Sequence, residues 1–415
     1  MLAKVPVNFE LPDVVGLKGV VFTLPAGNVP TISWPNGRWC IEANMFLINL
    51  VQQQCSVLGN GGTVYTYATQ LVHLIRFCAL HNLDLHDMSD SDFSNFARYL
   101  KQEDTQKGPV VRDRTDRTVR QIGKVCLQFL EFVGAVHGIK NYVGPRGRIR
   151  VKREKKPRQP KESRTYDSSL SWVHRSLPNN SPDQTRGAIS NQAVEKLKMA
   201  VVDSSSSHFL LKRRLTMIKM FNMTGCRREE LVGIKVRDIK AALRLRHPML
   251  KVPSIKRGGN RIETRLVPVT RSDLEFVNDF IEKNRRLVIR KTCGRPNDGG
   301  YVLIGETSGK KISAGYIAKE LSKLRKMAGL KGRAHAHMFR HRFITKLFVQ
   351  VLKLHDFKCK DDFRKALIST ENLKRKILEW TGHRSTRSLS RYIDPAFSEA
   401  SGSTEIMTKH FGDGG

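Results

Sequence analysis

Four short segments of the sequence carry side chains that can hold a phosphate group and move protons. In chain order they are residues 224–231 (TGCRREEL), an expected β-hairpin that includes Lys256, residues 337–341 (HMFRH), and residues 381–383 (TGH) followed by Tyr392. Arg227 stands where a helix is expected to begin, and the free backbone N–H groups and dipole of a helix start favour an anion. His337 and Arg340 are three residues apart, which places both on one helix face.

These residue types suit chemistry on a phosphodiester. A guanidinium can donate to two phosphate oxygens at once, and an imidazole can exchange protons near neutral pH. Lys256 lies beside an expected Gly-rich turn, which can hold its ammonium group rigidly. Because Ile393, Asp394 and Pro395 follow Tyr392, we expect a helix to end there and to leave the tyrosine ring near the surface.

Each of these residues also has an ordinary structural explanation. Arg227 lies in the sequence Arg-Arg-Glu-Glu and can belong to a charged helix face, and His337 can be a hydrogen-bonded core histidine. Lys256 is one of many lysines, and Tyr392 is one of eight tyrosines, a residue type that usually packs half-buried. No single residue therefore indicates the function, so the interpretation depends on the ordered combination of all of them.

Helices and one hairpin must position these side chains. Residues 42–140 are predicted to form a compact bundle of four short helices, with helix starts near Thr63, Asp90 and Thr115. Further elements are predicted along the second half of the chain: helices over residues 191–202 and 207–223, a hairpin of residues 250–256 and 262–269 around a Gly-rich turn, a short strand over 301–305, and mainly helical structure after residue 313.

The composition favours a nucleic-acid partner. The chain has 73 Lys and Arg against 38 Asp and Glu, a formal net charge of +35. A field of that sign attracts polyanions, and contacts to phosphates release bound counterions. No basic amphipathic helix, long apolar run or signal peptide indicates a membrane partner, so we expect a cytoplasmic protein. The seven scattered cysteines are expected to be reduced and mostly buried thiols rather than ligands of a metal.

Residues 145–164 are strongly basic, with ten Lys or Arg against two Glu, and they include three Pro. Proline breaks helices and like charges extend a chain, so this segment is predicted to be a linker between two folded regions. A basic run is often only solvated or an address signal, but its place between folded regions favours contact with a DNA backbone. The side chains expected to make that contact are Arg146, Arg148, Arg150, Lys152, Arg153, Lys155 and Lys156.

The ordered set Thr-Gly-x-Arg-x-x-Glu-Leu, hairpin Lys, His-x-x-Arg-His, Gly-His and Tyr resembles the catalytic signature of the tyrosine recombinase (phage integrase) family. The resemblance covers roughly residues 60–400 and is sharpest over these segments. It implies the following roles: phosphate-binding arginines Arg227 and Arg340, hairpin lysine Lys256, imidazoles His337 and His383, orienting carboxylate Glu230, and nucleophile Tyr392. Arg257 and Arg261 flank the same turn as Lys256, but only lysine can readily donate a proton.

The resemblance implies a mainly α fold with a small β-sheet, in which a helical core-binding domain and an α+β catalytic domain form a clamp around DNA. The expected divisions are an irregular or short-stranded arm (1–41), the core-binding domain (42–140), a basic linker (141–188), the catalytic domain (189–400) and a tail (401–415). Two departures from the family pattern stand out. The chain has an extra basic segment around residues 358–374, suited to contact DNA or another protomer, and Thr381 replaces the usual Leu before Gly-His.

The implied reaction is site-specific recombination. Tyr392 would attack a backbone phosphate to give a 3′-phosphotyrosyl enzyme and a free 5′-hydroxyl, with His337 as the base or a hydrogen-bond partner and Lys256 as the acid. No ATP, metal or other cofactor is expected, because the phosphate ester keeps the bond energy and the sequence has no P-loop pattern. The expected partner is double-stranded DNA with specific sites, bound by a homo-tetramer, and the family's usual setting is a prokaryotic nucleoid or mobile element.

Two alternatives stay open. A type IB topoisomerase also uses a tyrosine with an Arg, Lys and His pocket, but it relaxes DNA without exchanging sites. A non-catalytic DNA-binding protein on the same fold would explain the charge, although binding alone does not require Tyr392 or Lys256.

Overall fold

The computed structural model describes residues 2–15, 21–102, 114–155, 170–179, 187–254, 263–332, 334–355, 357, 359–383 and 385–400. The chain divides near residue 185 into two compact units, and each has its own hydrophobic core. Both units are mainly helical with small sheets, which confirms the predicted fold class. Within the described ranges, no helix combines the length and the apolar character that crossing a bilayer requires.

The first unit is built around the predicted four helices. They are α1 (Ile41–Gln52), α2 (Leu58–Leu80), α3 (Asp90–Gln102) and α4 (Asp116–Val136). Phenylalanine rings fill the space between them, and Phe46 and Phe129 lie 5.5 Å apart between centroids. The Thr115 hydroxyl accepts a hydrogen bond from the backbone N–H of Thr118 and so begins α4, because a helix start leaves such groups without partners.

Four short strands precede the bundle, in agreement with a short-stranded arm. Strand β1 (Leu2–Lys4) pairs antiparallel with β4 (Pro30–Ile32), and β2 (Glu10–Val15) pairs antiparallel with β3 (Val21–Pro25). Ile32 is fully buried, and its backbone N–H and carbonyl both bond the side-chain amide of Asn44 on α1. The arm is therefore part of the first unit.

The segment predicted to be a basic linker is folded where it is described. Strands β5 (Val143–Gly144), β6 (Ile149–Lys155) and β7 (Leu170–His174) form a three-stranded sheet in which β6 is central. Ile149 and Val151 of β6 are buried against the helical bundle. Ile149 and Val151 alternate with basic residues, which is the pattern of a half-buried strand. The sequence analysis missed this pattern because the segment is so highly charged.

The basic residues of that segment fall into two groups. Exposed positions are held by Arg146, Arg148, Arg150, Lys152 and Arg153. Lys155 ends β6, and Lys156 lies outside the described residues. The guanidinium of Arg153 lies 4.9 Å from the ring centroid of its cross-strand partner Trp172.

A buried carboxylate attaches this sheet to the bundle. Asp90, the first residue of α3, accepts hydrogen bonds from the Arg150 backbone N–H (2.8 Å), from His174 Nε2 (3.0 Å) and from Arg175 Nη2 (2.9 Å). His174 is fully buried. Burial alone would raise the pKa of Asp90, but its hydrogen bonds with His174 and Arg150 outweigh burial and hold the pKa below its ordinary value.

The second unit begins with α5 (Asn191–Ser204) and α6 (His208–Thr224), each capped by the serine before it. Two short helices follow, α7 (Arg228–Leu231) and α8 (Val236–Leu243). The predicted hairpin is present as β8 (Met249–Ser254) and β9 (Glu263–Pro268), with the turn outside the described residues. The predicted short strand near residue 301 is reduced to single bridges, from Tyr301 to Lys235 and from Ile304 to Lys311.

The remaining regular elements described in the second unit are helices, and those after residue 313 agree with the prediction of mainly helical structure there. These helices are α9 (Arg271–Asp279), which continues through a π-helical turn (Phe280–Arg285) into α10 (Arg286–Lys291), α11 (Ala314–Met327), α12 (Ala336–Leu354), α13 (Lys360–Ser369), α14 (Glu371–Thr381) and α15 (Ile393–Ala400). The extra basic segment of the sequence supplies α13. Phe363 and Leu367 of α13 are buried in the cluster that contains Tyr392, and Lys360 pairs with Asp394 of α15 at 3.1 Å.

The Asp90 contacts predict a measurable contribution to the stability of the first unit. We expect Asp90→Ala to lower the free energy of unfolding by about 2 kcal/mol, because it leaves buried donors without their acceptor. Urea denaturation at pH 7 measures it, and Asp116→Ala is the matched control, since Asp116 is half-exposed in its pair with Lys101.

The pH dependence of this loss follows from the depressed pKa of Asp90. A carboxyl group whose pKa is lowered by folding stabilises the fold above its ordinary pKa, here 3.8, and loses that effect as the pH falls through the folded-state value. The difference between the wild type and Asp90→Ala should therefore shrink below pH 4. A difference that stays constant from pH 7 to pH 3 would contradict this account.

Candidate active site

Arg227 lies at the start of α7, as its sequence context predicts. Its backbone N–H donates to Glu230 Oε2 at 3.0 Å, and its Nη1 donates to Glu230 Oε1 at 2.7 Å. Glu230 is fully buried, whereas the Arg227 side chain keeps 20% of its surface exposed. The carboxylate thus holds Arg227 in place while its side chain stays partly open to solvent.

A second arginine, Arg265 of β9, reaches the same carboxylate from the opposite side. Its Nη2 lies 3.4 Å from Glu230 Oε2 and 3.4 Å from the Thr224 carbonyl oxygen, and its Nη1 donates to the Trp380 carbonyl. The sequence analysis did not identify Arg265. A signal was available, because Arg265 shares the inward face of β9 with Val267, opposite Val252 and Leu250 of β8.

The two guanidinium groups decide the ionisation of Glu230. Burial alone would raise the pKa of this carboxyl group, but the positive charges of Arg265 and Arg227 outweigh burial and hold the pKa below its ordinary value. Glu230 is therefore a carboxylate at neutral pH, and it can accept hydrogen bonds from both arginines.

Arg340 and His337 both lie in the first turns of α12 but differ in exposure. Arg340 is 3% exposed, and its guanidinium donates to the carbonyl oxygens of Gly225 (3.1 Å) and Thr381. Burial lowers the pKa of Arg340, and the positive charge of Arg227 lowers it further. His337 is exposed, and its ring centroid lies 5.5 Å from that of His341, one turn along the helix.

His383 follows the glycine that ends α14. Gly382 has φ +63°, a left-handed conformation that glycine adopts without steric cost, and the backbone N–H of His383 then bonds the Leu378 carbonyl. Its Nδ1 is buried and has no hydrogen-bond partner among the described residues. Burial, together with the charges of Arg340 and Arg227, lowers the pKa of His383 to about 3, so the imidazole is neutral at pH 7.

Tyr392 is buried, contrary to the expectation of a surface ring. It is 3% exposed, and its ring centroid lies 5.3 Å from that of His341 and 6.3 Å from that of His383. A short 3-10 helix (Ser390–Tyr392) does end at the tyrosine, but α15 begins at the next residue, so the chain remains helical there. The reason is Pro395, which stands in the first turn of α15, where a helix tolerates proline because that N–H has no intrahelical acceptor.

The charges around Tyr392 act against the effect of burial. Burial raises the pKa of its phenol, while the positive charges of Arg391, Arg340 and Arg227 lower it. The Arg391 guanidinium lies 5.2 Å from the Tyr392 ring centroid. The phenol is neutral at pH 7, but these cations favour the anion that would form if its proton were removed.

Arg391 and His341 are site residues that the sequence analysis did not select. Both are direct neighbours of residues it did select, since His341 follows Arg340 and Arg391 precedes Tyr392. Burial lowers the pKa of His341 to about 4, and the charge of Arg391 contributes. His341 is thus a second neutral imidazole beside the tyrosine ring.

The structure therefore brings together Arg227, Glu230, Arg340, His383 and Tyr392 within one unit, where their charges influence one another. Lys256 lies outside the described residues, between the ends of β8 and β9.

One group of potential metal ligands occurs among the described residues, namely Asp84, His86 and Asp87 in the first unit. Asp87 already pairs with His86 and Arg148, both at 3.5 Å, so its charge is partly neutralised.

Comparisons with known proteins fit this geometry. Residues 190–357 match the family model described as the phage integrase family, a range that includes Arg227, Glu230, Arg265, His337 and Arg340 and ends before His383 and Tyr392. Tyrosine recombinase XerC 2 of Ralstonia nicotianae is 25% identical over 170 residues, or 41% of this chain. The match spans 43% of the length of that relative.

Comparison with solved structures finds two DNA-bound proteins. The XerH site-specific recombinase bound to palindromic difH substrate, in a post-cleavage complex, has a TM-score of 0.50 at 17% identity and covers 88% of this chain and 89% of its own. The Tn1549 transposon integrase with circular intermediate DNA has a TM-score of 0.49 at 13% identity, covering 85% and 94%. The match over residues 190–357, which are 168 of the 415 residues, therefore supports assignment of the second unit to the phage integrase family.

Proposed function

We propose that this protein is a site-specific recombinase that cleaves and rejoins DNA strands through a covalent bond to Tyr392, without ATP or a metal ion. The observation that carries the proposal is the position of the Tyr392 ring. It lies in the same unit as Arg227 and Arg340 and near the imidazoles of His341 and His383, which supports one chain as the source of both the nucleophile and the phosphate-binding groups.

The two arginines would bind the phosphate. In the transition state of phosphoryl transfer, negative charge accumulates on the non-bridging oxygens, and positive donors already in place lower the barrier most. Arg227 is partly exposed and anchored by Glu230, which suits a donor that must meet a ligand. Arg340 is held by the carbonyls of Gly225 and Thr381 and keeps further N–H groups for the phosphate.

In the proposed cleavage step, each bond that forms is matched by a bond that breaks. The phenol oxygen of Tyr392 forms a bond to phosphorus, its proton passes to a base, and the bond from phosphorus to the 5′ oxygen breaks. His337, exposed on α12, is the proposed base, and Lys256 would protonate the departing 5′ oxygen. His383 is neutral and can donate a hydrogen bond to the phosphate. Attack by another 5′-hydroxyl reverses these steps and rejoins the strand.

The partner we propose is double-stranded DNA with specific sites. The net charge of +35 supports a polyanionic partner, and the exposed basic residues of the β5–β7 sheet are the proposed backbone contacts in the first unit. Because one active site cuts one strand, exchange between two duplexes calls for four protomers. The predicted domain divisions, with the first unit as a DNA-binding domain, and an action on DNA in a prokaryotic cell belong to the same proposal.

Covalent trapping tests the nucleophile. We expect the wild type to form a denaturant-resistant adduct with some members of a pool of nicked duplexes of randomised sequence, since a nick next to the cleavage point lets the short fragment that carries the new 5′-hydroxyl diffuse away. Tyr392→Phe should form none, and Tyr301→Phe, which alters a half-buried tyrosine elsewhere in the second unit, should react normally. Adducts are measured on denaturing gels, and the trapped duplexes are sequenced.

The outcomes separate the alternatives. Equal DNA binding by wild type and Tyr392→Phe with no adduct from either would establish a non-catalytic binding protein. Relaxation of a supercoiled plasmid that needs no particular site and yields no exchange would establish a topoisomerase.

The phosphate-binding role predicts a loss of rate rather than of affinity. We expect Arg227→Ala to slow adduct formation about 10²–10³-fold, the usual effect of removing one transition-state donor. DNA binding, followed by fluorescence anisotropy, should change little because many other cations contact the backbone. Arg228→Ala is the control, since the neighbouring Arg228 is outside the Glu230 contacts and pairs with Glu229 at 3.5 Å. Equal rates for Arg227→Ala and wild type would exclude this role.

The β6 contacts predict a sequence-independent effect. Replacing Arg150 and Lys152 by Gln should weaken binding to all duplexes alike and reduce the slope of log affinity against log salt by about 2, one for each lost phosphate contact. The control is Lys198→Gln with Lys283→Gln, which removes the same charge at lysines that pair with carboxylates. An unchanged slope for the β6 variant would remove this strand from the DNA interface.

A further inference from the structure

Arg265 joins three segments that carry site residues. Its guanidinium contacts the Glu230 carboxylate, the Thr224 carbonyl before the Gly-Cys-Arg227 turn, and the Trp380 carbonyl at the end of α14. Its side chain is fully buried. No part of it can therefore touch DNA, and any effect on the reaction must pass through its neighbours.

Gly382 shows how closely the last of these segments packs on Arg265. A Cβ atom at Gly382 would lie 3.0 Å from Arg265 Cδ and 3.1 Å from its Nε, closer than ordinary contacts allow. The turn that carries His383 thus rests directly on the arginine. The turn can approach this closely because Gly382 has no side chain, and the hydrogen bond from Arg265 to the Trp380 carbonyl fixes it there.

We propose that Arg265 is a positioning residue of the active site, which holds Glu230 so that Arg227 faces the phosphate and holds the turn that presents His383. This inference rests on the proposed function. It adds to that function a residue that positions both Arg227 and His383, the groups proposed to contact the phosphate.

A purely stabilising role accounts poorly for this residue. Taking a guanidinium out of water is costly, and replacing a buried ion pair by apolar side chains is often neutral or stabilising. The Nε of Arg265 has no hydrogen-bond partner among the described residues, so part of that cost is not offset. The neighbouring inward position of β9 is held by Val267, which shows that an apolar residue suits this face of the strand.

The experiment compares Arg265→Met, Arg265→Lys, Glu230→Gln and the double variant Arg265→Met/Glu230→Gln, using the nicked duplex that the wild type traps from the randomised pool. The rate of adduct formation is measured at saturating DNA, with the midpoint of thermal unfolding for each protein. We expect Arg265→Met to react about 10²-fold slower, the usual cost of a small misplacement of catalytic groups, with a smaller loss for Arg265→Lys.

A comparison of the rates of the single and double variants shows whether Arg265 acts through Glu230. If Arg265 acts mainly through Glu230, the double variant should react nearly as fast as Glu230→Gln alone. Arg213→Met is the control, because Arg213 is also buried in the second unit but bonds the Ile304 carbonyl and the Tyr316 hydroxyl instead. It should leave the rate of the folded protein unchanged.

A pH profile supplies a readout that structural weakening would not change. The charged groups that face Glu230 are Arg227 on its own turn, Arg265 on β9 and Arg340 on α12, and the adjacent Cys226 thiol stays neutral because burial raises its pKa to about 12. Without Arg265 the carboxyl pKa rises, so the rate of Arg265→Met should climb with pH as Glu230 ionises. Glu230→Gln variants should lack that climb.

Each result is decisive. Losses that multiply in the double variant would overturn the route through Glu230, and a rate loss in Arg265→Met equal to that of Arg213→Met would overturn the positioning role altogether, while both leave the proposed function intact. A wild type that forms no adduct with any duplex would overturn the proposed function and this inference together.

Discussion

A carboxylate without access to water lies among three guanidinium groups at the centre of the second unit. Glu230 contacts Arg227 and Arg265 directly, and Arg340 lowers its pKa from further away. An isolated charge in such a place would be strongly unfavourable, and so would three clustered cations without an anion. The buried carboxylate and the clustered guanidinium groups therefore stabilise each other in their charged forms. The segments that bring these residues together are α7, β9 and α12, so the charge balance also ties the site to the fold.

The order of motifs in the sequence selected Arg227, Glu230, Arg340 and the histidines as candidates, and the structure places Arg227, Glu230, Arg340 and His383 in one unit. Their types and spacing are visible because they lie in short segments with helical periodicity. Arg265 was not selected because arginine is common in a chain with 73 Lys and Arg, and its complete burial is not evident from the residues next to it in sequence. Only the strand alternation, which places Arg265 in phase with Val267, distinguishes it from the arginines at the surface.

The folded part of the basic segment shows a second limit of sequence patterns. Charge counting predicted a linker, yet Ile149 and Val151 are enough to bury one face of β6 when His174 and Asp90 hold the neighbouring strand and helix in place. Asp90 lies 60 residues before Arg150, and His174 follows a long charged stretch. Neither partner therefore falls within the short segment that a sequence pattern covers. Tyr392 was misplaced for a related reason, because Pro395 stops a helix in its interior but not in its first turn.

The burial of Tyr392 bears on what becomes of a cleaved DNA end. A phosphate ester on that oxygen would form beside His341, His383 and Phe348, in surroundings that leave the ring 3% exposed. In the proposed reaction, release of that strand requires a nucleophile that approaches the phosphorus atom on the side opposite the phenol oxygen, in line with the bond to be broken. A buried ring fixes the direction of that bond, so it also fixes the direction from which a 5′-hydroxyl must arrive to rejoin the strand.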